Sequence, residues 1–432
     1  MLFITGAVMD IIVSETNNYY DYCERRRAVL PFSRMKRWSD CDVRDMWVFL
    51  GLILLMPLVK KHNLMDYWDA KDSLLHVPTF GKYMKRDRFF LLLRFLHFQN
   101  IETEDRTDAL RKIRPVYSLL RQNFSRFFRP FQKLVIDESL VLFKGRLSFK
   151  QYIPSKRHRF GIKLFVLCDA ETGIVLDILT YTGQSTDGVD RHDPLGVSGS
   201  VVKTLLDPYL DAGRLLYTDN WYTSPDLARF LHDRATGSCG TVRPHRKSMP
   251  KFPPLRRGEY IRRKCQPVMT MKWHDKRDVT LLTTFHKGDM VDTGKVDRVT
   301  GERATKPDIT LDYNLNMRLV DKSDMQLGSV ECVRKTVKWY KKLFFHMLDI
   351  SMLNAYNMYL TKTGNRLPLR EFYYEVSREI LTRFGAPVSS VRGRTSVHQA
   401  SLTAWQQRRP FRYTDLFLFP RLRVAGKVLG SA

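Results

Sequence analysis

An acidic pair, Asp137 and Glu138, interrupts an apolar run of the kind that forms a half-buried β-strand. The run begins with Leu134 to Ile136, and an apolar pattern resumes after the pair, between residues 140 and 143. The pattern predicts that Asp137 lies inside a sheet. An ionised carboxylate in that position needs a base, a set of hydrogen-bond donors or a metal ion as its partner.

The tract that follows this pair is basic. No acidic residue occurs between Glu138 and Asp169, whereas the cations in this interval are Lys144, Arg146, Lys150, Lys156, Arg157, Arg159 and Lys163. Aromatic residues are interspersed among them. An acid beside a basic, aromatic-bearing tract suggests metal-assisted chemistry on phosphate. The candidate DNA-contacting residues in this tract are Arg146, Lys150, Lys156, Arg157 and Lys163.

The charge of the whole chain supports a polyanionic partner. The 432 residues include 72 Lys and Arg against 45 Asp and Glu, a formal net charge of +27. This balance indicates nucleic acid first and an anionic membrane surface second, with a merely basic protein as the plain alternative. The longest apolar run, Met46 to Val59, is too short for a bilayer and is broken by Gly51 and Pro57, so a buried helix is expected. The six cysteines have no CxxC spacing, which favours reduced thiols over disulfides or a zinc module.

Residues 1–133 have the periodicity of helices. Amphipathic patterns cover Asp42 to Met56, with Ser39 or Asp40 as the cap, and then Arg86 to Phe98 and Arg111 to Arg126. The residues alone predict a helical bundle with a basic surface.

Between residues 134 and 240 the period changes to that of strands. Strands are predicted at Leu134 to Phe143, Ile162 to Asp169, Ile174 to Tyr181 and Arg214 to Thr218. A helix is expected from Val201 to Tyr209, and another from Asp226 to Asp233 that begins at Ser224-Pro225. Three strands, a helix, a strand and a helix is the order of an α/β, ribonuclease-H-like core, in which the first and fourth strands are neighbours.

That adjacency makes Asp219 a candidate partner of Asp137. Asp219 directly follows the fourth strand, so its carboxylate would face that of Asp137. Two such carboxylates repel each other unless a divalent cation bridges them. The alternative is that Asp219 only opens a turn.

Residues 241–312 are basic and strand-like. Candidate DNA-contacting cations here are Arg243, Arg246, Lys247, Arg262, Arg263 and Lys264. The pattern predicts a β-rich insertion that grips the DNA backbone, with a solvated charged face as the alternative. The polar segment from Asp289 to Asp308 is predicted to be a surface loop.

Residues 313–384 contain two further candidate acids. Asp321 and Asp324 are three apart, so on a helix they share a face, and either could complete a metal site. Asp324 could instead be an acid that favours a helix N-terminus. In the following predicted helix, Lys338 to Tyr359, Trp339 could belong to the core or stack on an unpaired base.

Ordered blocks of sequence between residues 10 and 362 carry a resemblance. They are SETNNYY at 14–20, VFLGLILLMPLV at 48–59, FLHFQN at 95–100, VIDESLVLFKGR at 135–146, YIPSK with GIK and CDAETG at 152–173, LLYTDNWYTSPDLARFL at 215–231, GTVRPHRKSMP at 240–250, WHDKRDVTLLTT at 273–284 and MRLVDKSDMQ at 317–326. In this order they resemble the piggyBac family of DNA transposases. One departure is Leu319, where the family has a glycine before Val320 and Asp321.

The resemblance implies a cut-and-paste DNA transposase. It implies that Asp137, Asp219 and Asp321 bind two Mg²⁺ or Mn²⁺ ions, with Asp324 as a supporting acid. It further implies a homodimer, a dimerisation and DNA-binding region in residues 1–133, a nuclear location, and double-stranded DNA as partner, both at the element ends and at TTAA targets. The reaction would nick the ends, form hairpins on the element and join it to the target.

The family usually ends in a cysteine-rich zinc module, but no cysteine follows Cys332, so we expect no zinc. Residues 385–432 match no family block and are predicted to form a poorly packed tail. The alternative function is that of a domesticated, non-catalytic nuclear DNA-binding protein.

Overall fold

The computed structural model describes residues 2–26, 30, 32–70, 76–154, 159–296, 301, 303–332 and 336–388. Helices precede the main sheet in the chain, as the sequence predicted. They are α1 (Gly6–Arg26), α2 (Val43–Leu55), α3 (Pro78–Tyr83), α4 (Arg86–Phe95) and α5 (Arg114–Phe127). Most of the tail predicted for 385–432 lies outside the described residues.

Helix α2 is buried from Met46 to Leu55, and its cap lies two to three residues later than expected. The Asp42 carboxylate accepts a hydrogen bond from the backbone N–H of Asp45 at 2.7 Å. Neither Ser39 nor Asp40 caps it, because the helix begins at Val43 and the capping side chain must directly precede the first turn.

The four strands predicted between residues 134 and 240 are present as β1 (Lys133–Leu142), β3 (Phe160–Asp169), β4 (Val175–Thr180) and β5 (Leu215–Thr218). Strands β2 (Gln151–Tyr152) and β6 (Gly237–Thr241) were not predicted. Helices α6 (Gly196–Leu206) and α7 (Pro225–Asp233) flank β5 in the chain, and the Ser224 hydroxyl caps α7 as predicted. The expected ribonuclease-H-like order is confirmed.

The basic region continues the same sheet. Strands β7 (Tyr260–Cys265), β8 (Val268–His274) and β9 (Asp278–Thr283) pair in antiparallel order, and β9 also pairs with β6. The sheet therefore runs β2-β3-β1-β5-β6-β9-β8-β7, with β4 also paired to β3. Strand β7 forms one edge.

The prediction of a surface loop from Asp289 to Asp308 is wrong. This segment contains a separate hairpin of β10 (Met290–Val296) and β11 (Arg303–Pro307). Most of the described side chains in β10 and β11 are exposed, so the hairpin lacks the apolar alternation that marks a half-buried strand.

The last helices cover the sheet and connect it to the N-terminal region. They are α8 (Asp308–Met317), α9 (Leu319–Val330), α10 (Trp339–Thr363) and α11 (Leu369–Phe384). Helix α10 is buried along most of its length, and the Asn354 side chain bonds both the N–H and the C=O of Val175 at 2.8 Å. Helix α11 packs on α2, where Phe384 stacks on Trp47. In the described part of the chain, none of the helices combines the length and apolarity that crossing a bilayer requires.

Candidate active site

Two neighbouring parallel strands bring Asp137 and Asp219 together. Strand β1 pairs with β5 in a register that sets Ile136 opposite Thr218. Asp137 and Asp219 are the residues that follow these two along β1 and β5. Strand β5 ends here while β1 continues, so both acids lie at the point where the sheet opens.

Glu138 joins these two acids. One carboxylate oxygen from each of Asp137, Glu138 and Asp219 lies within 4.8 Å of the others. Backbone N–H groups orient two of the acids, since Glu138 N–H donates to Asp137 and Trp221 N–H donates to Asp219, each at 2.8 Å. Sequence reasoning noted Glu138 as part of an acidic pair but gave it no role. Simple alternation along a strand would direct its side chain away from that of Asp137.

Burial and mutual repulsion favour the neutral forms of Asp137 and Asp219. Burial raises the pKa of Asp137 from 3.8 to about 8, and the charges of Glu138 and Asp219 contribute to the rise. The pKa of Asp219 is also raised, by burial and then by Glu138, although backbone hydrogen bonds and Lys163 oppose the shift. Three oxygen donors this close together gain from a divalent cation that neutralises them. The donor set therefore fits a divalent cation that prefers oxygen ligands.

Helix α9 brings the other predicted acids to the same place. Asp321 is exposed and lines a pocket of about 580 Å³. The other residues that line it are Asp137, Glu138, Ile153, Lys163, Asp219, Tyr313, Asn314, Met317 and Arg318. Asp324, one turn further along α9, accepts a hydrogen bond from the Ser139 hydroxyl at 2.7 Å, which fixes the helix to β1. The structure thus gathers Asp137, Asp219 and Asp321 in one pocket, although the close cluster of three carboxylates forms with Glu138 and without Asp321.

Lys163 lies inside the pocket rather than on the outer surface. Its ammonium is 2.9 Å from the Glu138 carboxylate, and both side chains are only 15% exposed. Arg318, which sequence reasoning did not consider, is exposed and lines the same pocket. Its position three residues before Asp321 is the only sequence signal that would have indicated it.

The other predicted DNA-contacting residues occupy several kinds of position. Arg146, Lys247, Arg263 and Lys264 are exposed. Lys150 donates to the Gly145 carbonyl at 3.1 Å, and Arg262 pairs with Asp289 at 3.0 Å. Lys156 and Arg157 lie outside the described residues.

Two of the predicted arginines contact the loop that carries Asp219. Arg243 donates to the Asn220 side chain at 3.2 Å, and Arg246 donates to the backbone carbonyls of Asn220 and Trp221. They therefore hold this loop in place beside the pocket.

Trp339 is half-buried at the start of α10. Its ring meets that of Phe149 edge to face at 5.4 Å. This contact supports the core alternative for Trp339 over a platform for bases.

Comparison with known proteins gives a consistent result. A family model described as Transposase IS4 matches residues 1–356. The human PiggyBac transposable element-derived protein 3 is 25% identical over 404 residues, covering 89% of this chain and 65% of its own length. The human PiggyBac transposable element-derived protein 2 is 22% identical over 382 residues, covering 83% of this chain and 60% of its own length. This chain therefore spans less than two thirds of either relative.

A solved structure is also similar. It is the cryo-EM structure of a piggyBac transposase synaptic complex with hairpin DNA, with a TM-score of 0.75 and 26% identity. The match covers 89% of this chain and 79% of that one. The chain belongs to the Transposase IS4 family, and its relatives and its fold place it among the piggyBac transposases and the proteins derived from them.

Proposed function

We propose that this protein is a metal-dependent DNA transposase that cleaves and joins DNA strands by phosphoryl transfer. The observation that carries the proposal is the meeting of Asp137, Glu138, Asp219 and Asp321 in one pocket. Membership of a transposase family gives this pocket its reaction class, since two-metal phosphoryl transfer needs clustered carboxylates. Cut-and-paste transposition at TTAA sites follows from the piggyBac resemblance.

The acids have separable roles in this proposal. Asp137, Glu138 and Asp219 would hold the cations, and Asp321, an exposed residue that lines the same pocket, would complete the site. Asp324 is a positioning residue, because its hydrogen bond to Ser139 sets where α9 presents Asp321. Two bound Mg²⁺ or Mn²⁺ ions would activate a water or a DNA 3′-hydroxyl and stabilise the leaving oxygen.

Exposed cations would hold the DNA backbone. Arg146, Arg263 and Lys264 are exposed, and Arg318 stands at the pocket itself. Contacts of this kind fix the position of the phosphates without reading the base sequence. The structural neighbour was solved with hairpin DNA, which supports double-stranded DNA as the partner. A homodimer and a nuclear location are further parts of the proposal, carried by the family resemblance.

The test is strand cleavage of a labelled duplex in Mn²⁺ or Mg²⁺. Asp137→Asn should abolish cleavage and leave DNA retention at low salt unchanged, because the amide is a poor metal ligand of nearly the same size. Asp233→Asn, at an exposed acid near the end of α7, is the matched control and should cleave as the wild type does.

Cleavage by the Asp137→Asn variant would refute the site assignment. Absence of cleavage in the wild-type protein, with DNA still bound, would instead favour a domesticated, non-catalytic DNA-binding protein.

A further inference from the structure

Lys163 is a cation placed within a group of acids. It projects from β3, where its backbone pairs with Leu140 of β1, and its ammonium donates to Glu138 Oε1 at 2.9 Å. A salt bridge whose two side chains are 85% covered is expensive to form, because both ions lose water. A buried ion pair of this kind suggests a functional role when it lies in a candidate active site.

Two aromatic rings hold the ammonium in this position. It lies 4.7 Å from the ring centroid of Phe165 and 4.7 Å from that of Trp221. Trp221 belongs to the loop that follows β5, and its N–H orients the Asp219 carboxylate. Lys163 thus contacts both the strand that carries Glu138 and the loop that carries Asp219. Cation–π contacts stabilise the charge without using its hydrogen-bond donors.

The charge balance of the pocket changes when cations bind. Before binding, the Lys163 ammonium is a largely buried positive charge, 2.9 Å from the Glu138 carboxylate, that offsets the repulsion among the three clustered carboxylates. Divalent cations on the same carboxylates would take over that task. The Lys163 ammonium, which has three N–H donors, would then be drawn less strongly to Glu138 and could bind an anion in the pocket.

We propose that Lys163 is an internal counter-ion that holds Glu138 in the metal-free protein and binds a DNA phosphate oxygen once cations occupy the site. This inference rests on the proposed function of the pocket. It differs from a role in general DNA retention, which would require an outward-facing lysine. It also differs from a purely structural ion pair, which would affect stability but not metal affinity.

The first test is Mn²⁺ binding to the DNA-free protein, measured by calorimetry at pH 8. Lys163→Met keeps most of the side-chain volume and removes a charge that repels the metal, so Mn²⁺ should bind about ten-fold more tightly. Glu138→Gln should weaken binding by a similar factor. The double variant should return close to wild type, because the two lost charges cancel.

The control is Lys272→Met on β8. Lys272 is also a largely buried lysine, 12% exposed and 2.8 Å from Asp278, but it does not line the pocket. Its loss should leave Mn²⁺ affinity unchanged. If Lys163→Met binds Mn²⁺ no more tightly than Lys272→Met, the counter-ion role is overturned.

The second test is cleavage at saturating Mn²⁺. Lys163→Met should cleave about 100-fold more slowly with unchanged DNA retention at low salt, and Lys163→Arg should recover part of the rate. Unchanged cleavage by Lys163→Met would overturn the phosphate-binding role. These outcomes are distinct from failure of the proposed function, which would appear as no cleavage by the wild type or as cleavage by Asp137→Asn.

Discussion

Asp137 carries the carboxyl group whose protonation state most affects the site. Its raised pKa means that the folded, metal-free protein holds a proton there that the unfolded chain releases at much lower pH. A divalent cation must displace this proton in order to bind. Metal affinity should therefore increase as the pH rises toward about 8, and the same linkage makes the metal-free fold sensitive to pH.

The sign of that sensitivity is opposite to the usual one for an acid. The folded-state pKa of Asp137 lies above the unfolded value of 3.8. Its contribution to the free energy of unfolding is therefore fully present below pH 3.8 and is lost as the pH rises toward about 8. Asp137→Asn cannot ionise, so at pH 8 in EDTA it should be more stable than the wild type by about 1–3 kcal/mol. Urea unfolding of both proteins at pH 5 and pH 8 measures this difference. A gap that does not widen between pH 5 and pH 8 would contradict the raised pKa.

Helix α8 positions α9, and Asp312 attaches α8 to the sheet. The Asp312 carboxylate accepts hydrogen bonds from Lys133 at 2.9 Å, from His286 at 3.2 Å and from the Tyr217 hydroxyl. These partners come from the start of β1, from the segment after β9 and from β5. Since α9 follows α8 after a single residue, the same contacts help to hold Asp321 over the pocket.

Asp312→Asn should destabilise the protein by about 1–3 kcal/mol at pH 7. Burial alone would raise the pKa of Asp312, but the hydrogen bonds from Tyr217 and Lys133 hold it below its usual value. Its stabilisation is therefore present above the unfolded pKa and is lost as the pH falls, so the effect should shrink toward pH 3. Urea unfolding at the two pH values measures it.

Asp292 supplies the control for this prediction. It pairs with Arg303 on the β10–β11 hairpin, where the Arg303 side chain is 80% exposed, so Asp292→Asn should leave the unfolding midpoint unchanged. If Asp292→Asn shifted the unfolding midpoint as much as Asp312→Asn does, Asp312 would contribute no more to stability than an acid on the exposed hairpin.

The elements that sequence reasoning found are those whose pattern is set by burial. The strands that bring Asp137 beside Asp219 alternate or run apolar because their faces meet α8 and α9. The β10–β11 hairpin was missed because its pairing is local to two exposed strands. Helices α8 and α11 were not predicted; α8 packs on the sheet and α11 packs on α2.

The same reasoning explains what was missed in the site. Asp137 and Asp219 could be paired from strand order alone, and Asp321 and Asp324 from helical spacing. The inclusion of Glu138 and the inward position of Lys163 depend on side-chain directions at the opening of the sheet. Spacing along one strand does not give these directions.

The net charge of +27 governs how the whole molecule meets DNA. Each phosphate contact releases counterions, so the logarithm of affinity falls with the logarithm of salt concentration by about 0.9 per contact on duplex DNA. Cations already paired with acids contribute little to this slope. Exposed ones such as Arg263 and Lys264, on the edge strand β7, should contribute fully.

Replacing Arg263 and Lys264 with glutamine should reduce the magnitude of this slope by about 2. Fluorescence anisotropy of a labelled duplex between 50 and 200 mM salt, roughly the range over which such contacts are lost, measures the slope. Lys203→Gln is the control, because Lys203 is 2.6 Å from the Asp193 carboxylate, and it should leave the slope unchanged. Equal slopes for all three proteins would mean that β7 does not contact DNA.

An exposed aromatic pair beside the pocket should distinguish unpaired from paired DNA. Tyr152 and Phe160 are 54% and 43% exposed, their ring centroids are 4.7 Å apart, and the adjacent Ile153 lines the pocket. Lys150 stands 5.7 Å from the Phe160 ring centroid. Bases freed from pairing stack on such rings, each contact being worth about 1–3 kcal/mol, whereas duplex DNA keeps its bases stacked internally.

The double change Tyr152→Ala and Phe160→Ala should therefore weaken single-strand binding at least about five-fold while leaving duplex affinity and the salt slope nearly unchanged. Tyr152→Trp should bind as well as the wild type. Tyr374→Ala, at a tyrosine of α11 that is 49% exposed, is the control for loss of an exposed aromatic ring. Equal weakening of duplex and single-strand binding by the double change would contradict base stacking, because stacking on these rings requires bases that are not already paired. The two rings would then only stabilise the edge of the sheet.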